Sequence, residues 1–166
     1  MTDRSAATQL YLLRHADAGD PAEWSGTDAS RPLSPKGERQ AERLGGFLAA
    51  VGFAADACVT SPKLRAARTA EIVASAVGLD VRLDERLAGG VDVGVLEAIL
   101  TDLGDPRRVV FVGHDPDFSE LLATIVGARD LPMKKGALTR IDAVRPLAPG
   151  SGTLRWLVPP DLLRRG

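Results

Sequence analysis

Short apolar runs alternate along this chain with longer segments of helical periodicity, and this alternation restricts the fold more than any other feature. The apolar runs predict strands at residues 9–13, 57–60, 81–83 and 108–112. The periodic segments predict helices at residues 34–52, 61–78, 93–104 and 115–126. Two more strands, at residues 138–144 and 153–158, follow each other directly. We therefore predict an α/β fold, a three-layer α/β/α sandwich whose mainly parallel sheet has an antiparallel edge.

Three of the predicted helices share one start signal. A capping residue precedes a proline at Ser34-Pro35, Ser61-Pro62 and Asp115-Pro116. Proline suits the first helical position because its missing N–H would have no partner inside the helix. We therefore predict N-caps at Ser34, Ser61 and Asp115.

Composition narrows the class of partner. The chain has 166 residues and a formal net charge of -1, so it carries no broad basic surface for nucleic acid or an anionic membrane. Only 4% of its residues are aromatic, which argues against a base-stacking platform. Cys58, the single cysteine, is expected to be buried and excludes an internal disulfide. We expect one domain over residues 1–166 with residues 1–8 flexible, and a cytoplasmic monomer.

The two histidines each follow a predicted strand. Arg14-His15 comes directly after residues 9–13, and Gly113-His114 directly after residues 108–112. Ligands of open α/β sheets bind outside the carboxyl ends of the strands. Arg65 belongs in the first turn of the helix that follows strand 57–60, where the helix N-terminus adds partial positive charge. We therefore expect Arg14, His15, Arg65 and His114 to face one crevice.

These side chains have the composition that phosphoryl transfer requires. The reaction depends on positioning and on positive charge around three phosphoryl oxygens. Arg14 and Arg65 can grip those oxygens bidentately. A neutral His15 can attack phosphorus, while a protonated His114 stabilises the spreading charge.

A metal site is the competing interpretation. His15 and Asp17, together with His114, have the composition of a two-histidine, one-carboxylate iron triad. Against it, the neighbouring Arg14 and Arg65 would repel a cation. We therefore expect no metal and no cofactor.

Four segments resemble motifs of the histidine phosphatase superfamily, also called the phosphoglycerate mutase-like family. Residues 12–16 (LLRHA) resemble its Arg-His-Gly motif, with Ala16 in place of glycine. Residues 61–70 (SPKLRAARTA) and 33–41 (LSPKGERQA) are similar to its Ser-Pro-x-x-Arg-Ala-x-x-Thr and Leu-Thr-x-x-Gly-x-x-Gln-Ala segments. Residues 112–114 (VGH) match the segment with its second histidine. Four motifs in the right order are a specific signal, and the resemblance runs from about residue 10 to residue 126.

The resemblance implies a phosphoglycerate mutase-like fold and a covalent phosphohistidine intermediate on His15. It implies that Arg14 and Arg65 bind phosphate and that His114 contacts the transferred group. The short chain and the Arg31-Pro32-Leu33 segment resemble most the SixA-type phosphohistidine phosphatases, in which Arg31 would be a further phosphate ligand. The expected substrate is then a phosphohistidine protein. A small phosphate ester, such as a sugar phosphate or nucleotide, and a non-catalytic phosphoryl-binding module remain as alternatives.

The general acid has several candidates. They are Asp17, Asp28, Glu85 and Asp115. Asp115 matches the position of the acid in one branch of the superfamily, but helix capping alone would also account for it. Asp28 lies near Arg31, and the two could simply pair as loop charges. A phosphohistidine substrate needs an acid less than an ester does, because imidazole leaves more readily than an alkoxide.

Overall fold

The computed structural model describes residues 7–164, and within them six strands form one sheet. The strands are β1 Thr8–Arg14, β2 Ala57–Thr60, β3 Val81–Leu83, β4 Arg108–Gly113, β5 Leu138–Ala143 and β6 Gly152–Val158. Their order across the sheet is β3-β2-β4-β1-β5-β6. The first four are mutually parallel, whereas β5 and β6 add antiparallel pairs at one edge. The predicted mainly parallel sheet with an antiparallel edge is confirmed.

Four helices cover the sheet on both faces: α1 Pro35–Ala50, α2 Leu64–Val77, α3 Val93–Asp102 and α4 Asp117–Val126. Side chains of a strand alternate between its two faces. Leu10 and Leu12 of β1 accordingly join a core with residues of α3 and α4. Tyr11 and Leu13 of the same strand join a second core with residues of α1 and α2. The two cores make this the predicted three-layer sandwich.

Two helix starts differ from the prediction. Ser34 caps α1 as expected, since its hydroxyl accepts the Gly37 N–H at 3.0 Å.

By contrast, α2 begins at Leu64, two residues later than expected, and the Ser61 hydroxyl contacts His114 instead. Similarly, α4 begins at Asp117, and the Asp115 carboxylate accepts the Ser119 N–H at 3.1 Å. His114 thus takes the Ser61 hydroxyl, whereas the Asp115 carboxylate still accepts an N–H of the first turn of α4, from the position before the N-cap Pro116.

The first strand begins one residue before the predicted start at residue 9, since Thr8 already pairs with Ala143 of β5. Residues 1–6 of the segment expected to be flexible lie outside the described residues. None of the helices within residues 7–164 is long and apolar enough to cross a bilayer.

Candidate active site

The sheet brings the predicted site residues to one edge. β1 and β4 are neighbours, and Arg14 pairs with Gly113 in the register. His15 and His114 therefore follow adjacent strand ends, and their ring centroids lie 5.2 Å apart. Arg65 is the second residue of α2, which follows β2 on the other side of β4. The parallel order β2-β4-β1 thus places three carboxyl ends side by side, as the sequence predicted.

His15 has the tautomer and charge of a nucleophile. Its ring is 5% exposed, and Nδ1 lies 2.7 Å from the Ala16 carbonyl oxygen. A carbonyl only accepts, so Nδ1 carries the proton and Nε2 keeps its lone pair. Burial lowers the pKa of His15 to about 4, helped by the charges of Arg65, Arg14 and Lys135. The ring is therefore neutral near pH 7.

The segment after His15 is tied to α2. The Ala16 N–H donates to Thr69 Oγ1 at 3.1 Å, and that hydroxyl donates to the Arg65 carbonyl at 2.7 Å. One threonine thereby links the chain next to His15 to the turn that holds Arg65. Among non-glycine residues within 7–164, only Asp105 has a positive φ, so Ala16 fits where the family motif has glycine without backbone strain.

His114 is also neutral, which corrects the expectation of a protonated ring. Burial lowers its pKa to about 3, with further lowering by His15, Arg65 and Lys63. Its Nε2 lies 2.7 Å from Ser61 Oγ. Its Nδ1 is buried without a hydrogen-bond partner. A ring of this kind contacts an anion by donating a hydrogen bond, with no net charge of its own.

Unsatisfied donors are concentrated at this site. Within the described residues, the buried side-chain polar atoms without a partner are the Nε atoms of Arg14, Arg31 and Arg65 and Nδ1 of His114. Each buried polar group left unpaired costs about 1–3 kcal/mol. All of these atoms belong to side chains that the sequence analysis assigned to phosphate. The simplest account of this shared cost is a site built for an oxyanion.

Asp28 gathers several cations of this site. Its carboxylate lies 3.0 Å from Arg65 Nη2 and 3.5 Å from both Lys63 Nζ and Arg31 Nη2. Burial alone would raise the pKa of Asp28, but the hydrogen bond from Arg65 and the charges of Arg65, Lys63 and Arg31 outweigh it and lower the pKa. Arg31 is 6% exposed and donates from Nη1 to the Ala18 carbonyl at 2.8 Å. It thus pairs with Asp28 and still keeps Nε unpartnered.

Of the other acid candidates, Asp115 and Asp17 have partners and Glu85 is exposed. Asp115 accepts the N–H and O–H of Ser119 and lies 3.3 Å from Arg14 Nη1. Glu85 is exposed at the start of the turn Glu85–Ala88.

Asp17 accepts the Ser34 hydroxyl at 2.6 Å and lies 3.7 Å from Lys135 Nζ. Burial would raise the pKa of Asp17, but the Ser34 hydrogen bond and nearby charges lower it overall.

The proposed iron triad is not formed. No group of three or more His, Cys, Asp or Glu side chains within residues 7–164 could hold a metal ion. Asp17 turns toward Ser34 and Lys135 rather than toward the two histidines.

Sequence reasoning missed several contacts of this site. Ser61, interpreted as a helix cap, contacts His114 instead, and its place in the Ser-Pro-x-x-Arg motif was the available signal. Arg14 Nη1 donates to the Met133 carbonyl at 2.6 Å, a long-range backbone contact with no signal in the sequence.

The sequence analysis singled out Gly37 only as part of a motif. A Cβ there would collide with the Asp17 carbonyl oxygen, so α1 approaches the chain after His15 very closely.

Fold and site together define a class of protein: an α/β protein in which two histidines and buried arginines meet at the carboxyl edge of a parallel sheet. Residues 10–128 match the family model of the histidine phosphatase superfamily (branch 1). The chain belongs to that superfamily. It is accordingly an enzyme of the phosphatase class, as the motifs predicted.

Two relatives show how far the sequence likeness extends. The chain is 36% identical over 115 residues to an uncharacterised protein of Picosynechococcus sp. (strain PCC 7002), covering 68% of this chain and 69% of the relative. It is 38% identical over 94 residues to a probable phosphoglycerate mutase GpmB of Cronobacter sakazakii, covering 54% of this chain. It spans only 40% of that mutase's length.

Among solved structures, the chain resembles the protein histidine phosphatase SixA complexed with tungstate. The TM-score is 0.82 at 25% sequence identity, with 95% of this chain and 100% of the other covered. The predicted SixA-like, phosphoglycerate mutase-like fold is therefore confirmed.

Proposed function

We propose that this protein is a SixA-type phosphohistidine phosphatase that acts through a covalent phosphohistidine on His15. The observation that carries the proposal is a neutral His15 beside buried donors that lack partners. Arg14, Arg31 and Arg65 would bind the oxygens of the phosphoryl group, and His114 would donate to one of them.

In the first step the lone pair on His15 Nε2 attacks phosphorus. A new N–P bond forms as the bond from phosphorus to the leaving group breaks. The Nδ1–H of His15 stays hydrogen-bonded to the Ala16 carbonyl throughout. The phosphorylated ring therefore carries a positive charge, which makes it a good leaving group in turn.

In the second step water attacks phosphorus and the N–P bond to His15 breaks. The bonding electrons return to Nε2, so the ring leaves as neutral imidazole with its Nδ1 proton in place. The water supplies the oxygen of inorganic phosphate, and its two protons stay on phosphate or pass to solvent. His15 is thereby regenerated in the state from which it started.

The state of the acid candidates favours a substrate with a good leaving group. Nearby cations hold the pKa of Asp28 low, so this group is ionised at neutral pH. Asp115 is engaged by Ser119 and Arg14. An alkoxide leaving group needs a proton from such an acid. A phosphohistidine protonated on its second ring nitrogen leaves as neutral imidazole without one.

The likeness to SixA supports the same substrate class. That protein was solved with tungstate, an oxyanion, and the unpartnered groups here are of the kind that bind an oxyanion. The likeness to a probable phosphoglycerate mutase makes a small phosphate ester the second candidate.

A turnover panel tests the proposal. Purified protein would be given a protein phosphorylated on histidine with phosphoramidate, para-nitrophenyl phosphate, and a set of sugar phosphates and nucleotides, each with and without a strong chelator. We expect the highest kcat/KM for the phosphohistidine protein, unchanged by chelator. Faster turnover of a sugar phosphate or nucleotide would show that a small phosphate ester, and not a phosphohistidine protein, is the substrate. Binding of vanadate without any turnover would mean a phosphoryl-binding module.

A further inference from the structure

Ser61 lies where it can control the second histidine. It follows β2 directly and is fully buried. Its Oγ lies 2.7 Å from His114 Nε2 and accepts the Lys63 N–H at 3.2 Å. The helix that the sequence predicted it to cap begins at Leu64, so capping does not account for this side chain.

Counting protons assigns the direction of the Ser61–His114 hydrogen bond. A hydroxyl has one proton to donate and two lone pairs to accept with. The Lys63 N–H can only donate, so it occupies one of the lone pairs. Among the hydrogen bonds of residues 7–164, His114 Nε2 is the one acceptor within reach of the Ser61 proton. The reverse direction would bury an O–H without an acceptor, at a cost of about 1–3 kcal/mol.

We infer that Ser61 is a positioning residue that donates to His114 Nε2 and thereby holds the ring in the Nδ1–H tautomer. The consequence of this tautomer for anion binding rests on the proposed function. The buried, unpartnered Nδ1 becomes a hydrogen-bond donor, as the unpartnered Nε atoms of Arg14, Arg31 and Arg65 are. The opposite tautomer would present a lone pair there, which would repel a phosphoryl oxygen. His114 can thus donate a hydrogen bond to the anion without taking up a proton.

Long-range ¹H–¹⁵N NMR reads the tautomer directly, and the chain has only two histidines to assign. In the wild-type protein at pH 7 we expect both rings in the Nδ1–H form. In Ser61→Ala we expect His114 to shift toward the Nε2–H form while His15 stays unchanged, because its partner is the Ala16 carbonyl. In Ser61→Thr, which keeps a hydroxyl, we expect His114 to return to the Nδ1–H form.

Thr60→Val is the matched control. Thr60 is equally buried and donates to the Ser61 carbonyl at 3.1 Å, so the variant removes a neighbouring hydroxyl without touching His114. We expect kcat/KM to fall roughly tenfold or more in Ser61→Ala and much less in Thr60→Val, with the vanadate Kd rising in parallel in Ser61→Ala.

An Nε2–H tautomer of His114 in the wild-type protein would overturn the inference, and this measurement needs no variant. An unchanged His114 spectrum in Ser61→Ala would do the same. If phosphohistidine turnover failed but the NMR result held, the assignment of Ser61 would stand while the proposed function fell. If His15 were needed for turnover and the His114 tautomer proved insensitive to Ser61, the reverse would apply.

Discussion

At the residue scale, the site combines neutral imidazoles with charged guanidinium groups. Burial keeps His15 and His114 neutral, whereas guanidinium groups remain charged in any protein environment. A neutral His15 has the free lone pair that attack requires, and Arg14, Arg31 and Arg65 supply the positive charge that an anion requires. Under the proposed mechanism, this division lets a neutral nucleophile and a phosphoryl dianion lie side by side.

Arg65→Lys tests this division of labour. Lysine keeps the charge but loses Nε, one of the unpartnered donors, and the planar fork. We expect kcat/KM to fall about 100-fold, roughly 2.7 kcal/mol, with the fold intact by circular dichroism. Arg68→Lys is the matched control, since Arg68 lies three residues further along α2 and pairs with Glu38 and Glu71. Equal activity in the two variants would show that Arg65 does not bind the phosphoryl group.

At the element scale, α1 packs closely against the chain after His15. The Ser34 N–H donates to the Asp17 carbonyl at 2.9 Å, and Gln40 accepts the Asp17 N–H at 2.9 Å. Gly37 lies between these contacts, where only a residue without Cβ fits. The first turns of α1 therefore hold the backbone that leads away from His15.

Gly37→Ala should damage activity through this contact. The added methyl collides with the Asp17 backbone, so we expect a loss of about 1–3 kcal/mol of unfolding free energy and a lower kcat/KM. Gly46→Ala on the same helix is the control, because a Cβ there meets nothing within 4 Å. It should gain up to about 1 kcal/mol from helix propensity. Similar stability and activity in both variants would show that the close approach is unimportant.

The element scale also shows what the sequence could predict. Apolar runs and cap signals indicated the six strands and four α-helices found within residues 7–164, because local periodicity reflects which face is buried. They placed the start of α2 wrongly, since the Ser61 hydroxyl is taken by a histidine 53 residues away. The same limit applies to Asp28 and Met133, whose contacts with Arg65 and Arg14 depend on how two loops return to the sheet. The charge of His114 depends on burial, which a motif does not encode.

At the scale of the whole molecule, the site and the stability of the fold are coupled through protonation. The two histidines have pKa values of about 4 and about 3 in the folded protein, against an ordinary value of 6.5. Between those values the unfolded chain binds more protons than the folded one. The stability due to neutral, buried histidines is therefore fully present above pH 6.5 and is lost as the pH falls toward 4.

We expect the unfolding free energy to drop by about 2 kcal/mol per histidine between pH 7 and pH 5. Urea unfolding followed by circular dichroism across that range measures it. A His15→Gln, His114→Gln variant is the control and should show a nearly flat profile over the same interval. A wild-type profile as flat as that of the variant would mean that the rings are not held neutral by burial.

The proposed mechanism requires a covalent bond between the Nε2 atom of His15 and phosphorus. Rapid quenching during turnover of a ³²P-labelled phosphohistidine protein, followed by peptide mapping, tests it most directly. We predict a label on the peptide containing His15 that is stable in alkali and lost in acid, and none in His15→Ala. Label on any other residue, or full turnover by His15→Ala, would contradict the account.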